Sequence, residues 1–264
     1  MTTPLHKTIR SLFQNANSVL IASHIRPDGD AVGSLLGLGN ALLQAGKKVY
    51  MALSDGVPSN FHYLHAANLV KRSVPKDQKF DLTISLDISD LERSGGIFGE
   101  REIILNIDHH ITNTLFGKYN LNDSDSVATC ALIAENLENW GLSINAETAS
   151  LLMTGLITDT IGFRTSNMSS KAMRIAADLI DKGANLSEIY QQALTNKNFD
   201  QLVYWGYALK KIQRKDRLAW TTLTLRDRQE AGYNGNDDAD LNSILSSIID
   251  YDITVLFVEQ KNGH

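Results

Sequence analysis

The sequence predicts an α/β protein: a mostly parallel sheet with helices on both faces, then a helical connector and a partial second, smaller α/β domain. Two patterns carry this expectation. Short, nearly continuous apolar runs alternate with helical segments as far as Gly183, and that rhythm changes from about Asn185. Continuous apolar strands separated by helices belong to parallel sheets buried on both sides.

The expected strands are Ser18–Ser23, Lys48–Leu53, Asp81–Leu86 and Glu102–Ile107, all rich in Val, Ile and Leu. Helical patterns cover Ala31–Gln44, Val127–Trp140, Ala146–Ile157 and Lys171–Lys182, the last closed by Gly183 where a helix C-terminus favours glycine. A helix is expected at Phe199–Ile212 and a strand at Leu218–Leu225. A Gly/Asn/Asp-rich loop at Gly232–Asp240, a helix at Leu241–Ile249 and a strand at Ile253–Val258 follow. The implied boundaries are 1–185 for the main domain, 186–216 for the connector and 217–264 for the partial domain. No internal repeat is visible.

Composition narrows the setting. The chain has 264 residues, 43% hydrophobic and 21% charged, enough for one large core or two domains. Its single cysteine, Cys130, can form no internal disulfide. MTTPLHKTIRSLF lacks the apolar stretch of a signal peptide, and the longest uncharged run, Ala31–Gly46, is too short and Gly-rich to span a bilayer. The expectation is a cytoplasmic protein without a membrane partner; a homodimer is compatible with the composition. A net charge of -5 argues against duplex nucleic acid. KKIQRKDR (Lys210–Arg217) is a local exception, read as a solvated face or linker, with phosphate steering as the alternative. His6, His62 and His65 are read as structural or exposed, and Tyr204, Trp205 and Tyr207 as packing residues.

The strand ends are the informative positions, because open parallel sheets bind ligands beyond the carboxyl ends of their strands. His24, Asp28 and Asp30 follow the first strand in ASHIRPDGDAVGS; Asp87 follows another in SLDISD. Asp108-His109-His110 ends a third strand, and Asp159 closes the apolar segment Leu151–Ile157. One such acid is commonly a cap. Several converging on one sheet edge would repel strongly without cations among them. An oxygen-rich set with imidazoles and no thiolate suits paired Mn²⁺, Mg²⁺, Fe²⁺ or Zn²⁺. Four aspartates balance two divalent ions, and paired ions serve in-line phosphoryl displacement. The helix beginning near Ala31 is expected to point its positive end at a phosphate or at these ligands.

His24-x3-Asp28-x-Asp30, Asp87, Asp108-His109-His110 and Asp159 together resemble the four motifs of the DHH phosphoesterases, over at least Val19–Arg164. Within that family the closest likeness is to the bifunctional branch that degrades very short RNA and removes the 3′-phosphate of 3′-phosphoadenosine 5′-phosphate. The resemblance implies a two-metal enzyme, most often with Mn²⁺, that acts on short single-stranded RNA or a small nucleotide through a metal-activated hydroxide. One ion would take His24, Asp28 and Asp87; the other Asp30, Asp87, His109 and Asp159, with Asp87 bridging. Asp108 would orient a neighbour, and His110 would face the scissile phosphate as electrophile or proton donor. Arg164 would clamp a phosphate oxygen. The segment Asp125–Thr129 opens a helix that either binds substrate phosphate or is simply capped.

The family also carries a C-terminal domain with a glycine-rich GGGH-type loop that grips substrate. Gly263-His264 is not equated with that loop, so the second domain is expected to be partial. Alternatives left open are a linear or cyclic dinucleotide phosphodiesterase, an inorganic pyrophosphatase, and a nucleotide-binding regulatory protein that retains the metal site.

Overall fold

The computed structural model describes residues 3–235 and 238–260. Gly263 and His264, and part of the Gly232–Asp240 loop, lie outside them. Two compact units divide the chain, Met1–Thr195 and Asn196–His264.

The first unit begins with helix α1 (Pro4–Asn15), strand β1 (Ser18–Ala22), helix α2 (Gly29–Gln44) and strand β2 (Lys48–Ala52). Strands β3 (Leu82–Leu86), β4 (Leu105–Asp108) and β5 (Tyr119–Asn122) follow. The sheet order is β2-β1-β3-β4-β5, and every pairing is parallel. Helices α3 (Thr129–Asn136), α4 (Ala146–Asp159), α5 (Ser170–Asp181) and α6 (Leu186–Tyr190), with a wider turn at Gln191–Thr195, complete the unit. Alternation along β1 sends Val19 and Ile21 to a core shared with α1, α2, α3 and α4, and Leu20 and Ala22 to the other face. That second face is covered by Ile88, Ile97, Phe98 and Ile103, from the segments on either side of the 3-10 turn Leu91–Ser94.

β5 is an addition to the expected strands. Its YNLN sequence buries one side chain, Leu121, because it is a short edge strand with a half-open face; its asparagines hide the apolar signal. The helix expected at Val127–Trp140 is shorter, since Leu137–Trp140 turn before Gly141 at φ 82. α2 starts two residues earlier than its apolar pattern, because Asp28 caps it by accepting from the amides of Asp30 and Ala31.

α2 and α4 lie in close contact, and small residues allow the approach. A Cβ on Gly33 would stand 2.7 Å from the Leu151 carbonyl oxygen and 2.9 Å from the Gly155 amide nitrogen. This crossing brings the start of α2 beside the end of α4, a placement the site requires. Among the described residues no helix is long and apolar enough to cross a membrane.

In the second unit, helix α7 (Phe199–Lys210) precedes strands β6 (Gln213–Lys215) and β7 (Leu218–Leu223). Helices α8 (Leu225–Ala231) and α9 (Leu241–Leu245) and strand β8 (Ile253–Val258) follow. β6 and β7 form a hairpin, and β8 joins β7 in parallel. Tyr204, Ala208, Leu223, Leu241 and Leu245 form its core. Tyr204 is fully buried and stacks on Tyr233 at 5.0 Å, and Trp205 donates to the Ala239 carbonyl, so both are packing residues here. The basic run lies at the end of α7 and in the hairpin; Lys211 pairs with Asp227, and Arg217 with Asp252. α8 had no apolar period to betray it: LRDRQEA is held by a Thr224–Asp227 capping box.

The α2–α4 contact gives a stability test. Gly33→Ala places a methyl against backbone that no rotamer change can move, so the urea midpoint of the full chain should fall, by about 1–3 kcal/mol of stability.

A candidate metal centre at the carboxyl edge of the sheet

β1, β3 and β4 end side by side, and α2, α3 and α4 close over that edge. Beyond β1, His24 is 2% exposed. Its Nδ1 faces the Ile25 carbonyl at 2.8 Å, so Nδ1 carries the proton and Nε2 is bare. That Nε2 stands 3.5 Å from Asp87 Oδ2 and 3.9 Å from Asp28 Oδ2. Asp28 divides its work, one oxygen capping α2 and the other turned to His24.

His109 repeats the arrangement. Its Nδ1 donates to the Ser126 carbonyl (3.2 Å), and its Nε2 faces Asp159 Oδ2 (3.6 Å), Asp87 Oδ1 (3.7 Å) and Asp30 Oδ2 (3.9 Å). Separations of 3.5–3.9 Å are too long for hydrogen bonds. They suit two atoms that each bind one cation at about 2.0–2.2 Å.

Asp87 is the centre of the group. It is buried, takes a left-handed φ of 57° and accepts from Thr129 Oγ1 at 2.9 Å. Burial alone would push its carboxyl up, but His24, His109 and His110 outweigh burial and hold it below the usual range. Asp30 is also buried, and burial followed by the charges of Asp87 and Asp159 pushes it well up. Its two oxygens accept from the first two amides of α3, Thr129 (2.7 Å) and Cys130 (2.9 Å). The helix opened by Asp125–Thr129 therefore spends its N-terminal amides on Asp30, 99 residues away in sequence. Asp159, the last residue of α4, is pushed up to about 6, by burial first and then by Asp87 and Asp28 against the opposing His109.

Asp108 is fully buried. It accepts from His110 Nδ1 (2.7 Å), the His109 amide (2.8 Å) and Asn113 Nδ2. The Asp108 bond, opposed by burial, raises His110, whose side chain is 35% exposed. For His24, burial opposes charging, yet Asp87 and the Ile25 carbonyl raise it.

The nominated residues thus come together with one exception. Arg164 is exposed, and its Nε donates to the Ile161 carbonyl (2.9 Å) in the turn after α4; no ion pair or hydrogen bond among the described residues joins it to the cluster. Two further side chains, Asn113 and Thr129, join the group. Asn113 carries no sequence signal beyond its place in a loop, and the Thr129 hydroxyl was hidden in what read as a helix start. His6 accepts from Trp140 Nε1 and His62 lies against the Val57 carbonyl, away from the centre.

The donor set fits divalent cations. His24-Asp28-Asp87 and Asp30-His109-Asp159 each present ligand atoms within 4.8 Å of one another. Among the described residues no Lys or Arg forms an ion pair with these carboxylates. Among the described residues, imidazoles are the cationic side chains in contact with them.

Comparison with known proteins agrees. Residues 18–156, a little over half of the chain, match the model of the DHH family, N-terminal domain. The chain belongs to the DHH family. It is 34% identical over 171 residues to the bifunctional oligoribonuclease and PAP phosphatase NrnA of Thermus thermophilus, covering 65% of this chain and 52% of that relative. Against the Mycoplasma genitalium protein of the same name the identity is 26% over 94% of this chain and 78% of the relative. The crystal structure of an exopolyphosphatase-related protein from Bacteroides fragilis superposes with a TM-score of 0.85 at 23% identity, covering 93% of this chain and 77% of that one. That likeness concerns the DHH fold.

Two measurements test the centre. Thr129→Val removes the hydroxyl that orients Asp87, and Mn²⁺ affinity by calorimetry should weaken about 10–100-fold while Thr129→Ser retains it. The raised Asp30 and Asp159 make the metal-free fold more stable with those groups protonated. That contribution is lost as pH rises from the ordinary carboxyl range through about 6 for Asp159. Cations replace the missing neutralisation, so the Mn²⁺-induced rise in Tm should be larger at pH 7.5 than at pH 5; an equal rise at both would contradict it.

Proposed function

We propose that this protein is a two-metal phosphoesterase of the DHH family that hydrolyses short oligoribonucleotides, 3′-phosphoadenosine 5′-phosphate, or both. The observation that carries the reading is the pair of imidazoles, His24 and His109. Each is pinned through Nδ1 to a backbone carbonyl, and each presents a bare Nε2 to opposite oxygens of the buried Asp87. The substrate class rests on the names of the NrnA relatives. In this reading the metal chemistry belongs to the catalytic domain expected over residues 1–185, and substrate grip to the segment after it, where α7 of the expected connector (186–216) shares one core with the expected second domain (217–264).

His24, Asp28 and Asp87 would hold one ion, and Asp30, His109 and Asp159 the other, with Asp87 shared. The mixed oxygen and imidazole donors suit Mn²⁺, Mg²⁺, Fe²⁺ or Zn²⁺, and the name of a manganese-dependent inorganic pyrophosphatase, 27% identical over 59% of this chain, supports Mn²⁺ among them. When bound, such a pair acidifies water and neutralises charge that develops on a phosphoryl group. The chain's own residues supply the rest. Asp108, held by Asn113, fixes the His110 ring by accepting from Nδ1. His110 Nε2 is thereby directed away from Asp108, and the Asp108 bond, which raises the imidazole's pKa, suits the ring to donate a proton or hydrogen bond to a phosphate oxygen. The α3 amides hold Asp30 in place while it is desolvated.

The test is a Mn²⁺-loaded hydrolysis panel of 3′-phosphoadenosine 5′-phosphate, RNA of two to five nucleotides, pApA, cyclic di-AMP and pyrophosphate. Turnover is expected on the first two; turnover of pyrophosphate alone would replace this reading. Asp87→Ala should lose turnover and both metals while circular dichroism stays native. His110→Ala should keep its metals and slow kcat by about 10²-fold or more; loss of both metals there would make His110 a ligand.

A further inference from the structure

We propose that Arg93 is the guanidinium that binds the substrate's phosphoryl group at this centre, the role for which Arg164 is the sequence-level candidate. The inference rests on the phosphoesterase reading above and names a substrate contact within it. Arg93 sits on the 3-10 turn Leu91–Ser94, which follows Asp87 by a few residues and is seated directly on the loop that carries His24 and Asp28. Its carbonyl accepts from the Ile25 amide at 2.8 Å, and its amide is capped by Asp90 Oδ1 at 3.1 Å. Gly95 closes the turn at φ 60, where a Cβ would stand 2.4 Å from the Ile25 side chain, so turn and loop are in tight contact. On its other side the same segment is tied to the loop after His110: Asn113 Nδ2 donates to the Ile88 carbonyl, and the Thr114 amide to the Ser89 carbonyl at 2.8 Å.

Residue 93 is therefore fixed between the loop of His24 and the loop of His110 by bonds to the main chain of its own segment, while its side chain is left over. Among the described residues no carboxylate pairs with that guanidinium, although the centre next to it holds several acids. The side chain is half-buried. A cation kept beside an acidic metal centre yet bonded to none of its acids suits an anion that arrives with substrate. Guanidinium is the side chain whose paired N–H groups match two phosphate oxygens. Arg164, in contrast, is exposed and already donates to its own turn.

The experiment compares wild type with Arg93→Gln, Arg93→Lys and Arg164→Gln, all Mn²⁺-loaded full chains. Inorganic phosphate is titrated in by calorimetry, and bis-p-nitrophenyl phosphate hydrolysis is measured in parallel. Because the bonds of Arg93 described above are backbone bonds, Arg93→Gln should keep the wild-type Tm and metal content. It should weaken phosphate binding about tenfold or more and lower kcat/KM by about 10²-fold. Arg93→Lys should recover part of the binding, and Arg164→Gln should match wild type. Equal phosphate affinity in Arg93→Gln and wild type, including no measurable binding in either, overturns the proposal. So does a loss matched by Arg164→Gln alone. A wild type that hydrolyses no phosphoester defeats the phosphoesterase reading, while the phosphate titrations still decide Arg93.

Discussion

The structure depends on how one buried carboxylate is neutralised. Asp30 has no contact with water, and an ionised carboxylate in that position is costly unless hydrogen bonds and positive charge surround it. The first two amides of α3 supply the hydrogen bonds, and the positive end of that helix adds a fixed partial charge. This single contact locks α3 to the start of α2. The next side chain contact, Thr129 to Asp87, joins both to the end of β3. Three elements far apart in sequence are thus held by bonds that also aim the candidate metal-binding groups.

Around that lock, the centre shows one rule applied several times. Every imidazole has one nitrogen committed to a carbonyl or carboxylate: His24 to Ile25, His109 to Ser126, His110 to Asp108. For His24 and His109 the other nitrogen points inward to carboxylates, the arrangement that metal ligation requires. For His110 the inward nitrogen is the committed one, and its ring is the more open to solvent. Two adjacent histidines thus differ in what their Nδ1 atoms hold and in which nitrogen faces the carboxylates.

The close α2–α4 crossing belongs to the same device. Asp28 and Asp30 start α2, and Asp159 ends α4, so the acids meet only if the helices lie close together. Gly33 and Gly155 permit that approach, with Cys130 filling the space against them. Asp159 meanwhile sits at the negative end of its own helix, a position that favours a cation nearby.

The sequence by itself determined the α/β class, four of the five strands of the main sheet and the helices that close over the site, because apolar periodicity records which faces are buried. It also placed His24, Asp28, Asp30, Asp87, Asp108, His109, His110 and Asp159, since a parallel sheet sends the ends of its strands to one edge. Other features were decided only by tertiary structure. β5 escaped because an edge strand needs little apolar surface, and α8 because caps rather than a hydrophobic stripe hold it. The anion at the start of α3 could not be read locally, because Asp30 reaches it from 99 residues away. The same holds for Arg164 and Arg93. Sequence adjacency to Asp159 favoured the first, but a side chain's reach depends on which loops pack against each other, and the Ile25–Arg93 backbone bond that puts the second beside the centre is a long-range contact with no trace in local pattern.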